Sequence, residues 1–440
     1  MADKSKLVRG IGRWDLTAVI INCIIGAGIF GLPSKVYAAI GSYSIAAFAV
    51  CALIVSLIVL CYAEVASRFA STGGPYLYAL ETFGPATAFG VGWLSFVVRV
   101  TTMAANTNLL VTYLGFLWPD ATGPSNRIIV IAAVNLGLLM VNIVGVRQSS
   151  VATNVLTIGK LLPLSAFVLI GLFFIDTSRF TFVPTPGYSS FSAAVLLAIY
   201  AFVGFEVGIV PAGEARDPRR DFPFALFVGL GVVTAIYILA QMVAIGTLPQ
   251  LASSERPLAD AAVNFIGPMG AALISIGAII SIFGNLNVGL LAGSRLLYAM
   301  GERNELPAFF ASTHHRFRTP VVSLIVKTVF IFVLTVQSSF ISAVVIATIT
   351  RLLVYATTCL ALPILRRRGD VPEARFKAPL GMAAAVLSMV LIAWLLTSVD
   401  FAKEGISLAV WLGIGLVVFV LMKLFGRGRS TGELREDTLA

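Results

Sequence analysis

The stretch VIINCIIGAGIFGLP, residues 19–33, decides the fold, because glycine interrupts an apolar run in its middle. A helix that spans the hydrocarbon of a membrane needs about 20 apolar residues, and this run belongs to a segment of that length. Gly26 and Gly28, on either side of Ala27, free the backbone from helical geometry and leave space beside it. The stretch therefore predicts a membrane helix that is unwound near its centre.

The composition of the whole chain also indicates a membrane protein. Of its 440 residues, 58% are hydrophobic and 12% are charged, whereas soluble domains carry about 25% charged residues. Lipid offers no hydrogen-bond partner to the backbone, which favours helices as spanning elements, and the apolar runs do not alternate as β-barrel strands do. We predict an all-α polytopic membrane protein of about 12 transmembrane helices. The predicted spans are 15–39, 42–67, 84–115, 126–146, 149–175, 191–214, 222–247, 269–299, 321–338, 341–365, 378–399 and 404–424.

The distribution of basic residues predicts the orientation. The formal net charge is +10, but most Lys and Arg fall on one side if the first segment is cytoplasmic and every predicted helix crosses. Cytoplasmic loops are enriched in Lys and Arg, so we expect both termini to be cytoplasmic, in the cell inner (plasma) membrane, and no nucleic-acid partner. The basic residues expected outside are Lys35, Arg127, Arg179, Arg256 and Lys403, and those expected within helices are Arg99, Lys160, Lys327 and Arg351.

A second interrupted helix occupies a matching place later in the chain. YAFVGFEVGIVPAGE, residues 200–214, puts Gly204 and Glu206 at the middle of the sixth predicted helix. Inverted repeats place such breaks in corresponding helices of two halves. Close packing of small residues is the alternative explanation for the first break alone, but a matched pair favours a binding site. The half-helix that starts at the first break exposes N–H groups suited to a carboxylate, and carbonyls that end the preceding halves suit an ammonium group. The breaks thus have the polarity of an α-amino acid.

Three motifs resemble the amino acid, polyamine and organocation (APC) transporter superfamily: GAGIFGLP (26–33), TGGPYLYALETFG (72–84), and FVGFE (202–206) followed by EARDPRRDFP (214–223). The resemblance implies the leucine-transporter fold, a 5+5 inverted repeat and alternating access. The expected organisation is a cytoplasmic N-terminus (1–14), two five-helix repeats (15–175 and 191–365), helices eleven and twelve (378–424) and a cytoplasmic C-terminal tail (425–440).

The expected substrate-binding residues belong to the two breaks and to the third helix, which lines the pocket in similar proteins. They are Ile25, Gly26, Ala27, Gly28, Ile29, Met103, Asn106, Tyr200, Phe202, Val203, Gly204 and Phe205. Tyr200 and Phe202 either cover the ligand as an aromatic lid or pack within the bundle.

Two charged residues are expected to couple transport to an ion. Lys160 lies about 16 Å into its helix, where a charge costs roughly 2.5 to 3.5 kcal/mol. In sodium-coupled members of the fold a cation is held between the first, fifth and eighth helices, and the resemblance places the Lys160 ammonium there. It acts as a proton carrier, as a fixed cation, or as a plain snorkelling or ion-paired lysine. Glu206 is a proton site or gating link, or it satisfies N–H groups freed at the second break.

These observations predict a secondary active amino acid transporter that is sodium-independent and proton-linked. The alternative is an amino acid/amine exchanger for a cationic amino acid or polyamine. The expected partners are the amino acid, protons and the lipid bilayer, with no soluble partner. No HExxH, GxSxG or P-loop motif occurs, and the four cysteines show no metal-ligand spacing, so we expect no enzymatic activity, catalytic residue, metal or cofactor. Two further helices are expected outside the spans: a short one at 258–266 and an interfacial one in GERNELPAFFAST, residues 301–313.

Overall fold

The computed structural model describes residues 12–69, 74–145, 150–182, 184–208, 218–400 and 404–425. Within these ranges the regular structure is helical and no strand occurs, which confirms the all-α class. The segments 1–11 and 426–440, and residues 214–217 of the EARDPRRDFP motif, lie outside the described residues. The helices are α1 (Arg13–Ile24), α2 (Gly28–Ile40), α3 (Ser44–Ala66), α4 (Gly74–Phe83), α5 (Pro85–Leu117), α6 (Pro124–Val144), α7 (Ser150–Gly171), α8 (Tyr188–Ile199), α9 (Phe205–Gly208), α10 (Pro218–Thr247), α11 (Pro257–Ile266), α12 (Pro268–Glu302), α13 (Val321–Gln337), α14 (Phe340–Arg367), α15 (Gly381–Leu396) and α16 (Gly405–Phe425).

Length and hydropathy make this chain a multi-pass membrane protein. Among the described residues, seven helical stretches are long and apolar enough to cross a bilayer. They are Gly28–Ala66, Pro85–Leu117, Pro124–Val144, Pro223–Thr247, Pro268–Glu302, Phe340–Arg367 and Gly405–Leu424. Shorter apolar helices accompany them, and α16 leaves most of its apolar side chains exposed, as a helix facing lipid does.

Outside the spans, the sequence predicted one short helix correctly and a second one wrongly. The helix expected at 258–266 is α11, which begins at a proline in its first turn. The interfacial helix expected at 301–313 is absent: α12 ends at Glu302, Asn304 takes a positive φ of 58°, and only a 3₁₀ turn follows at Ala308–Ala311. The backbone reversal at Asn304 ends helical geometry before an amphipathic face can form. The sequence analysis also missed α4.

Helix α5 lies at the centre of the bundle, packed against α12 on one side and α14 on the other. Helix α1 packs along α10, and α8 packs between α2 and α3. Most of α5 from Phe96 to Val111 is buried, including the polar residues Thr101, Asn106, Thr107 and Asn108. This arrangement brings polar groups of α5 towards the ends of α1 and α8.

An ion pair with a buried carboxylate joins α3 to α14 and to the segment that precedes α15. The Glu64 carboxylate is fully buried and accepts two hydrogen bonds from Arg366, at 2.7 Å from Nε and 2.6 Å from Nη2. The backbone N–H of Ala378 donates to the same carboxylate at 2.8 Å. Gly381 makes room, since a Cβ there would lie 2.5 Å from Nη2 of Arg366. Parallel guanidinium-carboxylate bonds of this kind fix the orientation of both side chains.

We expect Glu64→Ala to lower the thermal stability of the protein in detergent, because it leaves the Arg366 guanidinium and the Ala378 amide without their acceptor. The loss expected is about 2 kcal/mol, because the Arg366 guanidinium is partly exposed and the main cost is the lost hydrogen bonds to a charged acceptor. The control is Glu373→Ala, which removes a 92% exposed carboxylate paired with Lys377 at 4.0 Å and should change stability by less than about 1 kcal/mol. Equal melting temperatures for the two variants would contradict the structural role of Glu64.

Candidate functional site

The first candidate site element is the interruption between α1 and α2. Helix α1 ends at Ile24, Ile25 is extended with φ −69° and ψ 99°, and α2 begins at Gly28. The last carbonyls of α1 and the first amides of α2 therefore lack helical partners. Ala27, which precedes α2, supplies no side-chain cap to those amides. All of Ile25, Gly26, Ala27, Gly28 and Ile29 are buried, so these backbone groups are screened from solvent.

Lys160 of α7 satisfies the carbonyls at the end of α1. Its ammonium donates to the carbonyl of Asn22 and, at 2.8 Å, to the carbonyl of Ile25. The lysine is 5% exposed. A cation at a helix C-terminus is favoured by the helix dipole. The structure thus brings Lys160 to the first break, and its positive charge lies where carbonyl oxygens of α1 converge.

The second interruption lies between α8 and α9. After α8 the chain makes a 3₁₀ turn at Tyr200–Phe202, and Val203 is extended with φ −77° and ψ 159°. Gly204 has φ +113°, a conformation that L side chains rarely adopt. Its N–H donates to Oε2 of Glu206 at 3.0 Å. Glu206 therefore accepts from a backbone amide at the break, which is the structural role that the sequence analysis gave as an alternative to proton coupling.

The two interruptions touch each other. A Cβ on Gly204 would lie 2.3 Å from the carbonyl oxygen of Cys23, and one on Gly28 would lie 2.6 Å from the Cα of Ala201. Glycine at both positions is what lets the two backbones approach. The hydroxyl of Tyr237 on α10 faces both segments, 3.0 Å from the carbonyl oxygen of Ala201 and 3.3 Å from that of Ile24. Sequence analysis missed Tyr237, whose only signal was a hydroxyl within an apolar run.

Two side chains of α14 also contact the Glu206 carboxylate. The hydroxyl of Tyr355 donates to Oε2 at 3.0 Å, and Nε of Arg351 lies 3.5 Å from Oε1. Arg351 and Tyr355 are four residues apart, so they lie on one face of their helix. Arg351, which the sequence marked as a buried cation, thereby has a partner in Glu206. The helical spacing of Arg351 and Tyr355 was the available signal for Tyr355.

Residues of α5 and α12 reach the same region. The hydroxyl of Tyr200 donates to Oδ1 of Asn106 at 2.7 Å, which brings Asn106 to the second break. Met103 instead faces α12, where a Cβ on Gly289 would lie 3.5 Å from its sulfur. Asn285 of α12, which sequence analysis missed, lies against the first break, since a Cβ on Gly26 would be 2.5 Å from its Nδ2.

Two of the expected aromatic residues pack within the bundle. The ring of Phe202 lies 5.1 Å from that of Tyr237, between centroids, and its side chain is fully buried. Phe205 packs against Tyr62 and Tyr355 at 5.6 Å and 5.4 Å. Phe202 therefore packs within the bundle, which is one of the two arrangements expected for it; the other was an aromatic lid over the ligand.

Comparisons with known proteins match this chain to one family of transporters. Residues 11–423 match the model of a family described as amino acid permease. The serine/threonine exchanger SteT of Bacillus subtilis (strain 168) is 30% identical over 435 residues, which cover 95% of this chain and 97% of that protein. The methylthioribose transporter of the same organism is 27% identical, covering 95% and 94% of the two chains. A putative arginine/ornithine antiporter of that organism is 28% identical, covering 75% and 78%.

We expect Gly204→Ala to destabilise the protein, because the new methyl group meets the Cys23 carbonyl and because alanine disfavours a positive φ by about 1 to 2 kcal/mol. The matched control is Gly231→Ala in α10, where a Cβ would have nothing within 4 Å and where helix propensity favours alanine by about 1 kcal/mol. Thermal melting of the purified proteins should move in opposite directions. A Gly204→Ala variant as stable as Gly231→Ala would show that the two breaks do not depend on close backbone contact.

Proposed function

The chain belongs to the amino acid permease family, and on this premise we propose that it is a secondary active transporter of amino acids in the cell inner (plasma) membrane. In this proposal it is sodium-independent, proton-linked and works by alternating access. The described helices then belong to twelve spans with both termini cytoplasmic. Residues 15–175 and 191–365 form inverted repeats, and 378–424 add two helices. The observation that carries the proposal is the contact between two interrupted helices, each of which leaves backbone groups without helical hydrogen-bond partners.

The polarity of the breaks supports an amino acid as the substrate. The first amides of α2 have no side-chain cap and lie at the positive end of the helix dipole, so they suit the α-carboxylate. The carbonyls where α8 ends suit the α-ammonium group. Asn106 and Tyr200 supply further polar atoms beside the second break. In this proposal the substrate contacts Ile25 to Ile29 and Val203 to Phe205 chiefly through backbone atoms, which explains why small and apolar side chains occupy the breaks.

The position of Lys160 supports sodium-independent transport. Its ammonium already donates to carbonyls of α1, so a metal cation at the same oxygens would meet a positive charge. Two roles follow for the lysine. A proton carrier releases the end of α1 when it loses its charge, whereas a fixed cation holds the end of α1 in place throughout the cycle. Glu206 is the second candidate for proton coupling.

The contacts of Glu206 favour a neutral substrate over the alternative of cationic amino acid or polyamine exchange. A cationic side chain needs an acid in the pocket, and Glu206 is the acid at the breaks in the described part of the chain. Its carboxylate already accepts from Gly204 and Tyr355 and lies beside Arg351. Exchange as a mode of transport is compatible with either substrate class, and two of the similar proteins are named as an exchanger and an antiporter.

We expect Lys160→Ala to abolish uptake of labelled amino acids into proteoliposomes, because the carbonyls of Asn22 and Ile25 lose their cation. Lys160→Arg distinguishes the two roles of the lysine. Arginine keeps its charge at every accessible pH, so a fixed cation predicts uptake that retains its pH dependence, and a proton carrier predicts uptake that no longer responds to a pH gradient.

The control variant is Lys377→Ala, whose side chain is 68% exposed and whose loss should leave uptake unchanged. Uptake is compared under a proton gradient, under a sodium gradient and with an internal exchange substrate, using a panel of neutral, cationic and acidic amino acids. Uptake that requires a sodium gradient would contradict the proposed role of Lys160, and absence of amino acid uptake under all conditions would contradict the proposed function.

A further inference from the structure

Three basic side chains lie in the part of the bundle where Arg351 contacts Glu206 of the second break. Arg99 of α5, Lys327 of α13 and Arg351 of α14 form what we call the basic cluster. Arg351 is 6% exposed and Lys327 is fully buried. Arg99 lies one turn before Thr102 and Met103 on α5. The hydroxyl of Thr102 accepts from Arg351, and Met103 faces Gly289, whose carbonyl accepts from Lys327. Three basic side chains thus lie near one another on α5, α13 and α14.

The acid available to the basic cluster does not balance its charge. Arg99 and Arg351 are both attracted by Glu206, which is the carboxylate within reach of the cluster in the described part of the chain. Glu206 also accepts from Gly204 and Tyr355. One carboxylate against two arginines, which keep their charge, leaves a net positive charge in an apolar interior. An uncompensated buried charge is costly, so the cluster favours a further negative group.

Arg351 has donors free to bind such a group. Its Nη2 donates to the hydroxyl of Thr102 at 3.2 Å. Its Nη1 has no hydrogen-bond partner within the described residues, and its Nε contacts Glu206 only at 3.5 Å. A buried guanidinium with unused N–H donors leaves part of its hydrogen-bonding capacity unmet, which is costly unless a ligand accepts from it.

Lys327 is held in place by the helix opposite. Its ammonium donates to the carbonyl of Gly289 on α12. Gly293 lies one turn further along α12, and a Cβ there would be 2.0 Å from the lysine nitrogen. The glycine therefore creates the space in which the charged end of Lys327 fits. A neutral carbonyl satisfies one of three ammonium protons and leaves the charge itself unpaired.

We propose that the basic cluster binds a singly charged anion between α5, α13 and α14, next to the second break. The ligand is either a small inorganic anion, with chloride as the example, or the side-chain carboxylate of a transported acidic amino acid. The second source rests on the proposed function, whereas the first does not require transport. Arg351 is the primary ligand, and Arg99 and Lys327 supply the field that holds the negative charge.

The experiment measures the melting temperature of the purified full-length protein in detergent, since a ligand that binds the folded state raises it. Chloride is titrated against methanesulfonate at constant ionic strength. In a second arm, glutamate and glutamine are compared in methanesulfonate alone, because they differ in charge and little in size. A saturable rise with chloride identifies the inorganic anion, and a rise with glutamate that glutamine does not give identifies the side-chain carboxylate.

Lys327→Met and Arg351→Gln test the location of the site, and we expect each to weaken the apparent affinity for the anion at least tenfold. Arg256→Gln, which changes a partly exposed arginine paired with Asp260, should leave the shift intact. The proposal is overturned if neither anion changes the melting temperature of the unmodified protein, or if the shift persists in both cluster variants. A chloride shift in a protein that shows no amino acid uptake would reject the proposed function and leave the anion site standing.

Discussion

The constraint on which the rest of this structure depends is that free backbone groups inside a membrane need partners. Lipid supplies none, and each unpaired N–H or C=O costs several kcal/mol. Two interrupted helices in contact with each other place many such groups in one small volume. The protein satisfies part of them with Lys160 and Tyr237, which come from other helices, and with Glu206, which belongs to the second break itself. The groups that remain are the means by which a solute can be recognised.

The partners of the two breaks differ in charge, and this difference has mechanical consequences. The end of α1 is held by a cation from α7, whereas the start of α9 is held by its own carboxylate, which is in turn held by α14. Any movement of α9 away from α14 must break the contacts of Glu206 with Tyr355 and Arg351. The single hydroxyl of Tyr237 contacts both breaks, so a displacement of either segment changes the hydrogen bonding of the other. The breaks are therefore one mechanical unit with separate attachments to the bundle.

Charge inside the bundle is unevenly distributed. The ammonium of Lys160 donates to two carbonyl oxygens at the end of α1, and the negative ends of these dipoles stabilise its charge. Arg99, Lys327 and Arg351, in contrast, have one carboxylate among them in the described part of the chain. Helix α5 makes the most extensive contacts of the described helices, with α14 and with α12, and Arg99 and Arg351 lie on α5 and α14. Under the proposed function, net positive charge beside a polar break disfavours cationic solutes.

The sequence by itself determined the features that depend on neighbouring residues. Apolar runs indicated the helical class, and glycine marked residues 26 and 204 as places where helices are interrupted. Only the tertiary structure decided which distant side chains meet the breaks. Glu206 and Tyr355 lie 149 residues apart in sequence, and no local pattern records that contact. The helix expected at 301–313 does not form, because α12 ends at Glu302 and the positive φ of Asn304 interrupts the segment. Spans are set by hydropathy along the chain, whereas partners and charge balance are set by how the helices pack.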